Sequence, residues 1–306
     1  MAATRASWIA KAAHLIEIFL ASQKPATQAA YEVDLEAYRN HANAETIAEA
    51  IGDLLRLGPG AASGLAKLYK AALRNHYAAT TVNRRLSCLR SLTRTARDLH
   101  EIDWRLRISD LKVTRSRNTA GPGTEAIKRM LDIAHRQGGT KGPRDKAIIW
   151  LLYGLGLRRS EVAAIDRQHV HLSARPPTIE IHSKGYNQPL MMGMSERVVE
   201  GVHGWIMHRG NHDGPLFTTM SRAHDRSLRI SDQGIGVIIK SLGRAAGVET
   251  TPHGLRHTAI TDAVRIMPLP DAQAFSRHAS LETLKVYYDH DHAAALDVST
   301  AITESL

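Results

Sequence analysis

The sequence has a single cysteine, Cys88, among 306 residues. No disulfide can form within the chain, so an oxidising compartment is not required. Acidic residues are also scarce: 30 Asp plus Glu stand against 40 Lys plus Arg, a net charge of +10. That balance points to a polyanionic partner, of which nucleic acid is the commonest. Nowhere do about 18 apolar residues run together, so no membrane span is expected. The first 22 residues are broken by Lys11, His14 and Glu17 and do not read as a signal peptide. Internal repeats and low-complexity tracts are missing as well. What remains is ordinary globular composition, 43% hydrophobic and 23% charged, which excludes a disordered or collagen-like chain. At about 150 residues per domain the length allows roughly two domains. A soluble, cytoplasmic, basic protein is the expectation.

The first third reads as helical, with apolar residues at helical spacing over 8–22, 27–42, 45–58, 62–78 and 81–100. Thr27 is the expected cap of the second segment and Asn43 its end, and Gly58-Pro59-Gly60 is expected to stop the third. The fifth segment puts Val82, Leu86, Leu89, Ala96 and Leu99 on one face and Arg90, Arg94 and Arg97 beside them. Arg84 and Arg85 precede this stripe. Arg115 and Arg117 follow it, in a basic stretch over 113–123. A solvated helix face is one reading. A basic helix feeding a basic linker fits a DNA-wrapping protein better. The domain reading is a helical domain over 1–112, a linker over 113–123 and a second domain over 124–306.

Beyond the linker, 124–136 reads as a helix capped by Thr124, and 144–156 as a buried core helix. A short helix follows at 158–166. The period then switches to two over Thr178 to His182, and a Lys-Gly-Tyr-Asn turn leads to Pro189 through Met192, which makes a hairpin. Helices return at about 195–208, 231–246, 252–266, 269–277 and 280–288. The fold class is mainly α with a small β-sheet or hairpin.

Four separated segments carry the polar residues of interest. GLGLRRSEVAAID at 154–166 holds Arg158 and Glu161. IEIHSKGYNQPL at 179–190 holds Lys184 at the hairpin tip. TPHGLRHTAITDA at 251–263 holds His253 and Arg256 on one helix face. RHASLETLKVYYDH at 277–290 holds His278 and the pair Tyr287-Tyr288. Singly each has an ordinary structural reading: a helix-end charge, a turn, a helix start, a core tyrosine. In this order they resemble the tyrosine recombinase family, also called the phage integrase family. Gly156-Leu157-Arg158-Arg159-Ser160-Glu161 is similar to that family's G-L-R-x-S-E box, and His253-Gly254-Leu255-Arg256-His257 to its H-x-L-R-H box. Thr81 through Ser87 and the basic helix after it resemble the helical core-binding domain. The resemblance covers about 27–290. Two departures stand out. Ser276-Arg277 replaces the usual Leu-Gly before the second histidine, which changes the backbone conformations open there. The doubled tyrosine leaves the nucleophile open between Tyr287 and Tyr288, with the nine-residue step from His278 favouring the first.

The resemblance implies a SAM-like core-binding domain followed by a mixed α/β catalytic domain, a duplex DNA substrate and a homotetramer on paired sites. It implies no cofactor, no metal and no membrane. Arg158 and Arg256 would neutralise the scissile phosphate, since guanidinium stays charged and forks onto two oxygens. His278 would donate a further hydrogen bond. His253 would act as base, Tyr287 as nucleophile and Lys184 as acid for the leaving 5′-oxygen. Glu161 would hold an arginine or the helix in place. No carboxylate cluster suggests a paired-metal route instead. The product would be a 3′-phosphotyrosine that a second 5′-hydroxyl reverses without ATP. Rivals are a type IB topoisomerase-like or hairpin-forming resolvase, and a non-catalytic DNA-binding protein on the same scaffold. Asp289-His290-Asp291-His292 reads as a helix end rather than a metal tract, Cys88 as packing, and 293–303 as a tail that needs a surface to dock on.

Overall fold

A computed structural model describes residues 4–113, 121–183, 188–220, 228–278 and 280–287. The chain divides into two compact units, Met1–Arg115 and Ser116–Leu306. The first unit is helical: α1 (Arg5–Ala21), α2 (Pro25–Ala42), α3 (Ile47–Arg56), α4 (Gly58–Arg74) and α5 (Ala79–Asp98). Hydroxyl caps open two of them, with Thr4 accepting from the Ser7 N–H and Thr46 from the Glu49 N–H. Pro25 opens α2, so Thr27 lies inside the first turn and is not the cap. Asn43 ends that helix in the left-handed conformation, as the sequence suggests. Gly58-Pro59-Gly60 does not stand between two helices. Leu57 alone joins α3 to α4, and Pro59 sits in the first turn of α4, where its missing N–H costs nothing.

The core of this unit gathers Leu15, Phe19, Leu35, Leu54, Tyr69, Leu86, Leu89 and Leu92. Val82, Leu86, Leu89 and Ala96 are buried as their spacing predicts, whereas Leu99 falls past the helix end and is exposed. Cys88 is fully buried, and burial pushes its thiol well above the ordinary value, so it is a packing residue.

The second unit places α6 (Thr124–Arg136), α7 (Lys141–Gly154) and α8 (Arg159–Ala164) before the sheet, and α9 (Glu196–Arg209), α10 (Asp232–Ala245), α11 (Pro252–Ile266) and α12 (Leu269–Ser276) after it. Ala147, Ile148, Ile149, Leu151 and Leu152 make α7 the buried centre. Gly123 caps α6. Thr124 is the first helical residue, and its hydroxyl donates to Asp262 across 3.2 Å. The sheet is antiparallel in the order β1 (Val170–His171), β2 (Thr178–Ile181), β3 (Leu190–Gly193). Two residues are too few for periodicity to reveal β1. Ile179 and Ile181 of β2 face the core, while Thr178 and Glu180 face outward. The hairpin turn 184–187 lies outside the described residues. Leu281–Val286 is a 3-10 helix where the sequence suggests an α-helix. Among the described residues no helix is long and apolar enough to cross a membrane.

Candidate active site

The site begins at the end of α7. Gly156 takes φ +55, and a Cβ there would stand 3.0 Å from the Phe275 ring, so both backbone and space require glycine. The turn presents the Gly156 carbonyl inward and sets Arg158 just before α8. Glu161, one turn on, closes over that start. Its Oε2 accepts the Arg158 backbone N–H at 2.7 Å, and its Oε1 accepts from Arg158 Nη1 at 2.8 Å and from Ser183 Oγ at 2.6 Å. Burial alone would raise the Glu161 carboxyl. The Arg277 charge and the donors from Arg158 and Ser183 outweigh it and hold the group below its ordinary value.

Thr251 caps α11 by accepting the Gly254 N–H, and Pro252 sets its first turn. Gly121 lets the preceding chain lie against this turn: a Cβ there would stand 2.3 Å from the Gly254 carbonyl oxygen. His253 and Arg256 follow at helical spacing. His253 is exposed, and Arg256 is 2% exposed. The Arg256 guanidinium donates to the carbonyls of Gly156 and Ser276. Burial, then the charges of Arg158 and Arg277, bring it down to about 10, so it remains a cation at neutral pH. Partial loss of water and the same kind of repulsion, from Arg256 and Arg158, lower His253.

Arg277 ends α12 with φ 54 and ψ 40, the left-handed region. A non-glycine residue gives up about 1–2 kcal/mol there. Its buried side chain donates to Glu161 Oε2 at 3.1 Å, to the Gly156 carbonyl at 2.8 Å and to the Phe275 carbonyl at 2.9 Å. The next residue, His278, is half-buried. Its Nδ1 has no hydrogen-bond partner among the described residues. Burial and the neighbouring Arg256, Arg158 and Arg277 push it down to about 4. The Tyr287 ring lies 4.4 Å from the His257 ring and 5.8 Å from the His278 ring, and it packs against the cluster of Ile260, Val264 and Leu284. Burial raises the Tyr287 phenol even though Arg256 and Arg158 pull it down.

Arg158, Glu161, Arg256, His278 and Tyr287 are thus gathered at one place, with His253 on the exposed side of α11. Lys184 and Tyr288 lie outside the described residues, as do the tract 289–292 and the tail 293–303. Sequence reasoning passed over three participants. Arg277 carried a signal, since it stands at the family's glycine position. His257 lay inside a quoted box with no role assigned; it is buried, and its Nε2 is unpartnered among the described residues. Nothing local marked Ser183.

The basic residues of the first unit divide by environment. Arg85 is buried, 4.0 Å over the Tyr77 ring and 3.7 Å from Asp34, and turns inward from the basic stripe. Arg84 is held by the same buried Asp34 at 2.5 Å. Arg90 is tied to Asp110 at 2.7 Å and to the Ile108 carbonyl, and Arg97 lies 3.5 Å from Asp98. Arg94 has no ion-pair partner among the described residues, and with Arg90, Arg97, Trp104 and Arg105 it lines a cavity of about 290 Å³. Arg115 and Arg117 lie outside the described residues.

His169, Glu180 and His182 bring three potential metal-ligand atoms within 4.8 Å of one another. The Asp166 N–H donates to His169 Nδ1 at 3.0 Å, which puts the ring proton on Nε2. Either nitrogen would have to give up a bond or a proton to hold a metal, so the trio fits one poorly.

The model of the phage integrase family matches residues 124–294. A tyrosine recombinase of Synechococcus elongatus is 32% identical over 276 residues, 87% of this chain and 85% of the relative. One of Synechocystis is 28% identical over 233 residues, 74% and 73% of the two chains. Among solved structures, a XerH site-specific recombinase bound to a palindromic difH substrate matches with TM-score 0.65 at 16% identity, covering 90% of this chain and 80% of that one. A lambda integrase dimer bound to a COC′ core site matches with TM-score 0.65 at 14% identity, covering 92% and 76%. The last two speak for the fold, and the sequence matches for the lineage: the chain belongs to the phage integrase family, the tyrosine recombinases.

Proposed function

We propose that this site-specific DNA recombinase cuts duplex DNA with Tyr287 and reseals it with no cofactor. The observation that carries the proposal is the pairing of two guanidiniums with one phenol. Arg158 is oriented by Glu161 and Ser183, Arg256 by two backbone carbonyls, and both act electrostatically on Tyr287. A phosphodiester under in-line attack gathers charge on its non-bridging oxygens, and fixed cations stabilise that charge without reorganising. Loss of one such donor costs about 3 kcal/mol of transition-state stabilisation.

His253, kept neutral at neutral pH by its lowered pKa, accepts the phenolic proton. The Tyr287 oxygen bonds to phosphorus, the bond to the 5′-oxygen breaks, and Lys184 protonates that leaving group. His278, neutral down to about pH 4, donates a hydrogen bond to a phosphate oxygen. The resulting 3′-phosphotyrosine keeps the phosphodiester energy. Attack by a 5′-hydroxyl from a second strand reseals the DNA and returns the proton to Tyr287. The N-terminal unit reads the DNA, with Arg94 among its phosphate contacts, and the working assembly is a tetramer on two duplexes. Tyr287→Phe is the test. It should abolish the detergent-resistant protein–DNA adduct while site binding stays near wild type, and Tyr288→Phe should still cut. Adduct formation by Tyr287→Phe would overturn the assignment. Exchange between paired sites separates recombination from mere relaxation of supercoils.

A further inference from the structure

Arg277 stands where the family resemblance expects glycine, and it keeps the glycine-like backbone while adding a buried guanidinium. That guanidinium shares partners with both phosphate-facing arginines. It donates to Glu161 Oε2, and the other oxygen of the same carboxylate accepts from Arg158. It also donates to the Gly156 carbonyl, which accepts from Arg256 as well. Its own backbone carbonyl lies 3.4 Å from Arg158 Nη2, and the next residue is His278. Its Nη1 reaches Met192 Sδ at 3.1 Å, on the strand that returns from the hairpin turn. One side chain therefore touches the supports of Arg158, Arg256 and the hairpin.

We propose that Arg277 is a positioning residue that sets Arg158 and Arg256 in their cleavage geometry by fixing the Glu161 carboxylate and the Gly156 carbonyl between them. The inference rests on the recombinase reading of the site. Without Arg277, Glu161 keeps Arg158 but loses its second cation, and the Gly156 carbonyl can turn with Arg256. Both forks would then meet the phosphate less well aligned. Simple structural support would make a different prediction, because glycine fits this backbone better than arginine does.

The test compares wild type, Arg277→Gly and Arg277→Lys in single-turnover cleavage of a half-site that traps the covalent adduct. Arg277→Gly breaks the buried pair with Glu161, so it should unfold at a lower urea concentration than wild type while staying folded under assay conditions, and it should bind the site within about twofold. Its cleavage rate should fall by about 10- to 100-fold, as for a misaligned catalytic group. Arg277→Lys keeps the charge but not the fork and should recover only part of the rate. A scissile methylphosphonate carries no charge and leaves the arginines less to neutralise, so the gap between Arg277→Gly and wild type should narrow on it. Wild-type rates in Arg277→Gly overturn the inference. So does an equal defect on phosphate and methylphosphonate, or a defect that follows loss of folding in both variants. Failure of the wild type itself to form an adduct would instead sink the recombinase reading.

Discussion

Replacing Glu161 by glutamine removes one charge and almost no volume, so its effect can be worked from the four bonds the carboxylate accepts. Oε2 serves the Arg158 N–H and Arg277, and Oε1 serves Arg158 Nη1 and Ser183. Glutamine offers one oxygen and one NH2. With the oxygen in the Oε2 position, the NH2 faces Ser183, whose hydroxyl can turn to accept, and Arg158 Nη1, which is partly open to water. The reverse orientation would leave buried Arg277 facing an NH2, so the first is preferred. Two charge-assisted bonds then become bonds to a neutral acceptor, each losing about half of a contribution of about 1.5–3 kcal/mol. With the lost bond from the partly solvated Nη1, the C-terminal unit should be destabilised by about 2–4 kcal/mol, approaching the roughly 3–5 kcal/mol of a buried pair broken outright. Trp8 and Trp104 lie in the first unit, so in a Trp8→Phe/Trp104→Phe background urea unfolding followed by fluorescence reports Trp150 and Trp205 of the second. Cleavage should fall about 10- to 100-fold as Arg158 loses a support. The acid response gives the sign. The folded carboxyl lies below its ordinary 4.5, so its stabilisation is present above pH 4.5 and lost as pH falls through the depressed value. Glu161→Gln should lack that loss. An unchanged urea transition with wild-type cleavage would refute the reasoning.

Two further predictions concern proton delivery and DNA grip. Lys184→Ala should slow cleavage of ordinary DNA but have much less effect on a substrate with a bridging 5′-sulfur, which leaves without protonation; equal defects on both would remove Lys184 as the acid. Arg94→Ala should flatten the log–log salt dependence of binding by about 0.9, the value of one phosphate contact, whereas Arg90→Ala should change it less because Asp110 already holds that side chain; equal slopes for the two variants and wild type would make the α5 stripe a solvated surface.

What could be read from the sequence was what is local. Helical periodicity exposed the first-unit helices because their apolar faces repeat every turn, and the Arg158 and Arg256 boxes were legible because each sits within one short turn or helix start. Gly58-Pro59-Gly60 was misread because proline and glycine signal a break in general, while at the first turn of a helix they are compatible with it. The inward turn of Arg85 was not legible, because a basic stripe does not say which of its members turn inward; the buried Asp34 that draws it lies on another helix. The Arg277–Glu161 pair was invisible because its members are 116 residues apart and only the meeting of α12 with the start of α8 joins them.

The same convergence explains how the site can be cationic and still hold its shape before DNA arrives. Arg158 and Arg277 share the Glu161 carboxylate, and Arg256 is bonded to backbone carbonyls alone, so three guanidiniums stand beside one carboxylate and positive charge is left over. The cations do not scatter, because backbone carbonyls take up part of their donor capacity: Gly156 and Ser276 for Arg256, Gly156 and Phe275 for Arg277. A guanidinium has five N–H donors. Two spent on fixed carbonyls orient the plane of Arg256, and in the proposed mechanism the others meet non-bridging oxygens. The cost of arranging those donors is met during folding, when the left-handed turn at Gly156 and the strained backbone of Arg277 bring the carbonyls into place. In the proposed mechanism, charge arriving at the phosphate in the transition state therefore meets dipoles and cations that are already set, which is the condition under which electrostatic stabilisation is largest.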